Sequence, residues 1–485
     1  MEFITAEEAS KRWNIGLRSV QRMCAAGRIE GAEKRSNIWM IPDSASPQRD
    51  KKTKDSVSED DIVEAYKNFV FQEFDQYGNF FNKNKLCKSQ AARAYYLAIE
   101  SYKCYPHIEK MAVYWEECKR YLEKTEVKIP ELSLTMGGHF TLGIFLHEAG
   151  AADECGKMIS EQLPLFEFLA GRKSGLDLLF RAELEYQRGN IQEAEVLAYK
   201  TLFTQDSDPD IKLGISYILA HISLHKGNVE GWKRASEMIK RIMNESESEL
   251  TKTSAEIAKA ELLLAAGFME GIPEWIQKCD FGNKKLTVTT HVNALFVHMS
   301  FLWRNQEYAR AVAFAETLLK EIPGKPYVSF YSILYLYMIL ALCYNKLDMK
   351  GHCRKYLRKA LKIAKPDRLF LPFAEYSYDL GGCSDEVLRK DEPEIYEKIM
   401  EIKKRYRENY VSFNTAIQEP ELMDGLTNRE KEIVKWAVEG MSNAEIAKQL
   451  YISKSTVNYH MHNIFNKLGV NRRSMMIKLL YFNDQ

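Results

Sequence analysis

Between about residues 62 and 410, apolar residues recur at helical spacing, with few Pro and Gly among them. Short turn signals interrupt the pattern near Pro106, Gly150, Gly189-Asn190, Gly227-Asn228, Gly267, Asn305 and Leu347-Asp348, at gaps of 44, 39, 38, 40, 38 and 42 residues. Each turn follows an apolar helix and precedes an amphipathic one. In the clearest unit, LDLLFRAELEYQRGNIQEAEVLAYKTL, Leu179, Ala182 and Tyr186 share one face before the turn, and Ala194, Leu197 and Ala198 share one after it. Small residues such as Ala182 and Ala194 let paired helices approach closely. A two-helix unit repeated in this way predicts a mainly α chain built on a helical-hairpin solenoid. The aromatics gathered there (Tyr327, Phe330, Tyr331, Tyr335, Tyr337 and Trp303) are expected to be mostly core, and His221, His225, His291 and His298 packed or surface histidines. The longest apolar run, Val328 to Tyr344, is broken by Ser and Tyr and falls short of the ~20 residues of a membrane span, so it predicts a buried helix.

The pattern changes at both ends. Two polar stretches, 43–61 and 411–424, are expected to be linkers, dividing the chain into 1–42, 62–410 and 425–485. In the first segment Thr5-x-x-Glu8 is a capping box that opens a helix from Ala6 to Trp13. A second helix, Leu17 to Ala26, would bury Val20, Met23 and Cys24 and expose Arg18, Ser19, Gln21 and Arg22. Two short strands then surround Lys34-Arg35-Ser36-Asn37. The whole predicts a helix-turn-helix with a wing, whose candidate DNA contacts are Arg18, Ser19, Arg22, Lys34 and Arg35. It resembles the small MerR/excisionase-like DNA-binding domains, including their terminal I-W-x-I-P; the same fold also serves as a protein-interaction module.

The last segment predicts four short helices with tight turns. Thr427-x-x-Glu430 and Ser442-x-x-Glu445 are capping boxes, Ser453 can cap a third helix, and Gly440 and Gly469 stand where helices end. Ile433, Val434, Trp436, Ala437, Ile446, Ala447, Leu450 and Ile452 are expected inside, with Val457, Met461, Ile464 and Leu468 as the buried stripe of the third helix. Its other face carries Ser455, Asn458, Tyr459, His462 and Asn466. A short helix with amide, hydroxyl and imidazole groups outward fits the DNA major groove.

The segment resembles the LuxR-type helix-turn-helix. It supplies Leu426, Thr427, Arg429, Glu430 and Glu432, then Gly440, Ser442, Asn443, Glu445, Ile446, Ala447, Leu450, Ile452, Ser453, Thr456, Val457 and His460, then Asn463, Ile464, Lys467, Leu468, Gly469 and Val470. That resemblance implies base contacts from Asn458, Tyr459 and His462, the face that periodicity selects. Asn458 stands where the family commonly has Lys, and Asn suits adenine edges where Lys suits guanine. Lys467, Thr456 and Arg429 are the phosphate candidates, and His460 is expected to pack at the helix crossing. The helical units resemble tetratricopeptide repeats at a longer period. Residues 364–376, AKPDRLFLPFAEY, resemble the end of the repeat region in MalT-type members of the LuxR-type family. No G-x-x-x-x-G-K-[ST] occurs, so no ATP switch of that kind is expected.

Charge adds one feature. The chain of 485 residues carries net +1, but residues 1–56 hold net +3, 425–485 net +4 and the middle net −6. Basic ends suit a phosphate backbone. Nine scattered cysteines without a C-x-x-C fit reduced thiols in a cytoplasmic protein. The acidic start MEFITAEEASKRW is not a signal peptide. No nucleophile elbow, metal cluster or phosphate loop is present in the sequence, so no enzyme, cofactor or metal site is expected. One reading is a transcription regulator, with activation implied more often than repression. Its repeats sense a peptide, protein or small molecule, and its terminal domain binds double-stranded DNA, as a homodimer, alongside RNA polymerase. The other is a repeat scaffold for protein partners with a secondary DNA contact. Neither reading involves a membrane.

Overall fold

The computed structural model describes residues 3–45 and 90–476, with short breaks of which the longest are 204–207 and 322–328. The chain divides into two compact units, Met1–Ser58 and Glu59–Gln485. The first linker, beyond residue 45, lies outside the described residues.

In the first unit, β1 (Phe3–Thr5) leads into α1 (Ala6–Arg12) and α2 (Leu17–Ala25), followed by β2 (Glu33–Arg35) and β3 (Ile38–Pro42). Thr5 and Glu8 form the expected reciprocal cap, with Thr5 N–H donating to Glu8 Oε2 at 2.7 Å and Glu8 N–H to Thr5 Oγ1 at 3.2 Å. Ala6, Ala9, Val20, Cys24, Ile29 and Ile41 make its small core. The sequence predicts two strands here, and the structure has three, in the antiparallel order β1-β3-β2. Phe3-Ile4-Thr5 is too short to show alternation. It pairs along the edge of β3 that β2 leaves open, with Phe3 opposite Pro42.

The second unit stacks antiparallel helices. Those of the repeat region are α3 (Gln90–Ser101), α4 (Ile108–Leu122), α5 (Leu142–Phe145), α6 (Ala152–Ala170), α7 (Leu176–Gln187), α8 (Ile191–Leu202), α9 (Pro209–His225), α10 (Val229–Glu245) and α11 (Glu249–Ala265). After them come α12 (Glu274–Gln277), α13 (Val288–Arg304), α14 (Tyr308–Glu321), α15 (Phe330–Lys346), α16 (Lys350–Asp367), α17 (Leu371–Glu375), α18 (Ser377–Leu380), α19 (Gly382–Asp391) and α20 (Pro393–Met423). Pairs such as α7/α8, α9/α10 and α15/α16 pack as hairpins, and the first helix of one pair also packs on the first helix of the next.

Five of the turns close in one way. Gly189, Gly227, Gly267, Gln306 and Asp348 all have positive φ. Each donates its N–H to the carbonyl three residues back, while the following residue donates to the carbonyl five back. This double bond pattern satisfies the carbonyls that a helix end leaves free. At four of them the sequence signal was the left-handed residue itself, Gly or Asp, which tolerates that conformation, whereas at the Asn305 signal the left-handed residue is the next one, Gln306.

Residues 126–151 depart from the repeat and run, largely without helix, through the interior. Glu183 holds this segment from α7, its Oε2 accepting from Thr141 N–H (2.8 Å), Thr141 Oγ1 (2.6 Å) and Leu142 N–H (2.9 Å). Asp367, at the end of α16, accepts from the N–H groups of Gly150 and Ala152.

Most of the segment expected as a linker, residues 411–423, is instead the C-terminal part of the 31-residue α20, and Asp424 lies outside the described residues. One stripe of that helix, Ile402, Tyr406, Asn409, Tyr410 and Phe413, lies across successive repeats. A Cβ on Gly189 would come 2.5 Å from Ile402 Cδ1, and one on Gly227 would come 3.0 Å from the Asn409 carbonyl. Asn409 Nδ2 donates to His225 O at 3.0 Å, Tyr410 OH donates to Ala265 O at 3.3 Å, and the buried Phe413 meets the Trp232 ring at 5.8 Å. Tertiary packing of this stripe overrides a sequence that reads locally as polar and Pro-containing.

Inside the repeats lies a cavity of about 610 Å³, bordered by helices α7, α9, α11, α13, α15 and α20. Tyr331, Tyr335 and Trp303, expected as core, stand on its wall, as does His221. No described helix is long and apolar enough to cross a membrane.

Candidate nucleic-acid interface

Three described helices follow α20: α21 (Asn428–Val438), α22 (Asn443–Gln449) and α23 (Lys454–Lys467). Each starts at a side-chain cap. Thr427 Oγ1 accepts from Glu430 N–H at 3.3 Å while Glu430 Oε2 accepts from Thr427 N–H at 2.7 Å. Ser442 and Glu445 repeat that box, and Ser453 Oγ accepts from Thr456 N–H at 3.0 Å. Ile433, Val434, Ala437, Ile446, Ala447, Val457, Met461 and Ile464 form the core with Met476. Trp436, Leu450, Ile452 and Leu468 pack against it half-buried rather than fully enclosed. Arg473, Met475 and Met476 are helical where the fourth helix is expected, while Gly440, Gly469 and the rest of that helix lie outside the described residues.

The turn between α22 and α23 has the same geometry as the repeat turns. Tyr451, at φ 53, donates to Lys448 O, and Ile452 N–H donates to Ala447 O. Ile452 thereby reaches the core while the Tyr451 side chain is 96% exposed. Tyr, unlike Gly, Asn or Asp, gives no sequence signal of the left-handed conformation.

The structure brings Asn458, Tyr459 and His462 together on one exposed face of α23, with Ser455 and Asn466 beside them. At ~100° per residue these five positions span only ~100° of the helix circumference. Tyr459 is 65% exposed, and His460 next to it is half-buried. The 14 residues of α23 include two Lys and no Asp or Glu.

The phosphate candidates have partners inside the domain. Lys467 Nζ donates to Glu430 Oε2 at 2.7 Å, and Glu430 is nearly fully buried. Burial pushes that carboxyl up, but hydrogen bonds from Lys467 and from Thr427 N–H and OH outweigh it and hold the group below its ordinary value. Arg429 is engaged twice, with Nη1 on Glu432 Oε2 (2.7 Å) and Nη2 on Leu450 O (2.8 Å). Thr456 is half-buried, its Oγ1 at 2.7 Å from Ser453 Oγ.

Two residues at the site escaped the sequence reading of contacts. Arg473 donates to Ala437 O at 2.7 Å, to Met441 O, and to Asn443 Oδ1 at 3.0 Å. Asn443 Nδ2 in turn donates to Asn458 Oδ1 at 2.8 Å. A guanidinium can only donate. It therefore fixes which end of Asn443 faces it, and through Asn443 it turns the Asn458 oxygen inward and the Asn458 Nδ2 outward. Only Asn443 had a sequence signal, as part of the S-N pair of the LuxR-type pattern.

In the first unit, Arg18, Ser19 and Arg22 occupy positions on α2, and Lys34 is exposed on β2 next to Arg35. The side chains of Arg18, Ser19, Arg22 and Arg35 lie outside the described residues.

Residues 424–480 match the family model for bacterial regulatory proteins of the luxR family. The terminal helices are a LuxR-type helix-turn-helix domain. Beyond that domain the chain is similar to the HTH-type transcriptional regulator MalT of Vibrio cholerae, 24% identical over 364 residues, 67% of this chain and 37% of the relative. It is also similar to the probable transcriptional regulatory protein SgaR of Hyphomicrobium methylovorum, at 33% over 101 residues, 20% of this chain and 47% of the relative. The transcriptional activator protein AnoR of Acinetobacter nosocomialis is 29% identical over 107 residues, 21% of this chain and 45% of the relative. The chain thus spans less than half the length of each of these relatives.

Proposed function

We propose that this chain is a cytoplasmic, sequence-specific transcription regulator, acting as an activator, whose α23 enters the DNA major groove. The observation that carries the reading is the exposed, carboxylate-free face of α23 on a LuxR-type domain, bearing Asn458, Tyr459 and His462. Asn458 offers its outward N–H group to a purine N7 or another acceptor edge, and Tyr459 and His462 extend the contact along the groove. Thr456 and Lys467 flank this face as phosphate contacts, since an ammonium bound to Glu430 keeps further N–H groups to donate. Arg429 instead holds the end of α22 at Leu450 O. The N-terminal helix-turn-helix supplies a second DNA contact through Arg18, Ser19, Arg22, Lys34 and Arg35. Dimers bind half-sites about one helical turn apart, and bound protein recruits RNA polymerase. The repeats sense the signal, and α20 links them to the DNA-reading helices.

Titrating the full chain onto fluorescent duplex DNA at increasing salt tests the interface. Affinity falls steeply, with a slope of about −0.9 per phosphate neutralised. Binding that is absent, or indifferent to salt, contradicts it.

A further inference from the structure

The cavity of about 610 Å³ within the repeats falls in the range of ~300–1,000 Å³ typical of small-molecule sites. Its wall is a continuous run of rings. Tyr186 lies 6.1 Å from His221, His221 4.5 Å from Tyr217, Tyr217 6.0 Å from Phe140, Phe140 4.8 Å from Tyr331, and Tyr331 4.8 Å from Tyr335. Within this wall stands Glu375. It accepts from Tyr186 OH at 3.0 Å, and among the described residues it has no Lys or Arg within ion-pairing distance. Its charge is felt by Tyr186, Tyr331, Tyr335, Tyr376 and Tyr406, which places it among five tyrosines.

The basic side chains that border the cavity are otherwise engaged. Lys346 pairs with Asp379 at 3.1 Å and Lys403 with Asp385 at 3.5 Å. The Arg407 guanidinium lies 5.2 Å over the Tyr378 ring, and that of Arg304 lies 4.9 Å over Trp303. Of the other two carboxylates on the wall, Asp379 is the partner of Lys346, and Glu261 is bound by His139 Nε2 (3.1 Å) and Tyr217 OH (2.7 Å). Gln187 Oε1 and Asn414 Oδ1, both on cavity-lining residues, are buried acceptors without a hydrogen bond among the described residues.

We infer that the cavity binds a small organic cation, an amine with an apolar or aromatic body, whose ammonium group sits against Glu375 within the tyrosine wall. Aromatic faces attract cations through their quadrupole, most strongly where water is excluded. Glu375 is half-buried, and a carboxylate partly removed from water without a counter-ion is costly; the ligand supplies the missing charge. Unliganded, burial pushes the Glu375 carboxyl up to about 7, against the hydrogen bond from Tyr186. The unpaired acceptors of Gln187 and Asn414 take further N–H donors of the same ligand. Because Tyr406, Tyr410 and Asn414 border the cavity from α20, the ligand touches the helix that continues toward the DNA-reading domain. This inference rests on the reading of the repeats as the sensor.

The test titrates the full chain with phenethylamine, choline and spermidine, and with 2-phenylethanol and 3-phenylpropionate as neutral and anionic counterparts of the first. Tryptophan fluorescence and calorimetry follow binding, and duplex DNA affinity is measured in parallel. Saturable binding of at least one amine is expected, with tenfold weaker binding or none for the neutral and anionic counterparts. Glu375→Gln is expected to weaken amine binding at least tenfold while leaving the melting temperature of the unliganded protein unlowered. The cation assignment is overturned if no amine binds up to about 10 mM. It is equally overturned if the neutral or anionic counterpart binds as well, or if Glu375→Gln leaves amine affinity unchanged. An amine that binds through Glu375 without altering DNA affinity upholds the site and overturns the sensor reading. A neutral or anionic probe that binds and alters DNA affinity does the reverse.

Discussion

Replacing Phe413 with alanine tests whether α20 is docked across the repeats through its last third. The ring is fully buried, 5.8 Å from Trp232 at an interplanar angle of 74°. Removing such a ring costs ~3–5 kcal/mol, of which ~0.5–1.5 reflects the edge-to-face aromatic pair. The loss falls first on local opening, because Phe413 is the last fully buried residue of the stripe, and Tyr410, bonded to Ala265 O, becomes the next anchor. At about 1.4 kcal/mol per decade, amides near residues 411–417 lose roughly two to three and a half orders of magnitude of hydrogen-exchange protection. Amides around Tyr406 change much less. Exchange measured by mass spectrometry on wild type and Phe413→Ala reads both regions in one experiment. A change of less than about threefold near residue 413, with an unaltered melting curve, would refute the docked helix and restore the linker reading.

Three further outcomes are expected. Burial pushes the Glu183 carboxyl up to about 8, against the hydrogen bonds from Thr141 and Leu142. The folded protein therefore keeps a proton that the unfolded chain releases near ~4.3, and stability falls as pH rises from roughly 5 to 8. Glu183→Gln keeps an acceptor for Thr141 and flattens that decline in melts at pH 5.5 and 8.5; equal slopes in the two proteins contradict the assignment. Arg429→Ala lowers stability by about 1–3 kcal/mol through loss of the bond to Leu450 O and leaves the salt slope of DNA binding unchanged. A slope reduced by about one with stability intact would return Arg429 to the phosphate contacts. Arg473→Lys, which loses the planar fork while keeping charge, weakens DNA binding and broadens sequence preference at the position read by Asn458; unchanged preference contradicts the relay through Asn443.

The parts legible in the sequence were those with local chemical causes. Thr427/Glu430 and Ser442/Glu445 announce helix starts because their side chains bond within one turn. Gly189 and Gly227 mark turns because glycine takes the positive φ there without strain. The reading face of α23 follows from a stripe and its opposite. What stayed hidden depends on distant partners. The helix through 411–423 exists because Phe413 finds Trp232 far back in the chain. Lys467 and Arg429 are cations like any other until Glu430 and the Leu450 carbonyl are placed beside them. Tyr331 and Tyr335 fit a core pattern equally well, and only the inward course of residues 126–151 and the placement of α20 leave a cavity in front of them.

The most direct test of the account is selection of bound sequences from random duplex DNA by the full chain, in wild-type form and with Asn458→Ala, Tyr459→Ala and His462→Ala combined. All three side chains are exposed, so the variant is expected to melt with the wild type. The account expects the wild type to enrich a defined motif and the triple variant to lose it while keeping weak, salt-sensitive binding. The same motif enriched by both proteins, or none by the wild type, would contradict the assignment of α23 as the reader.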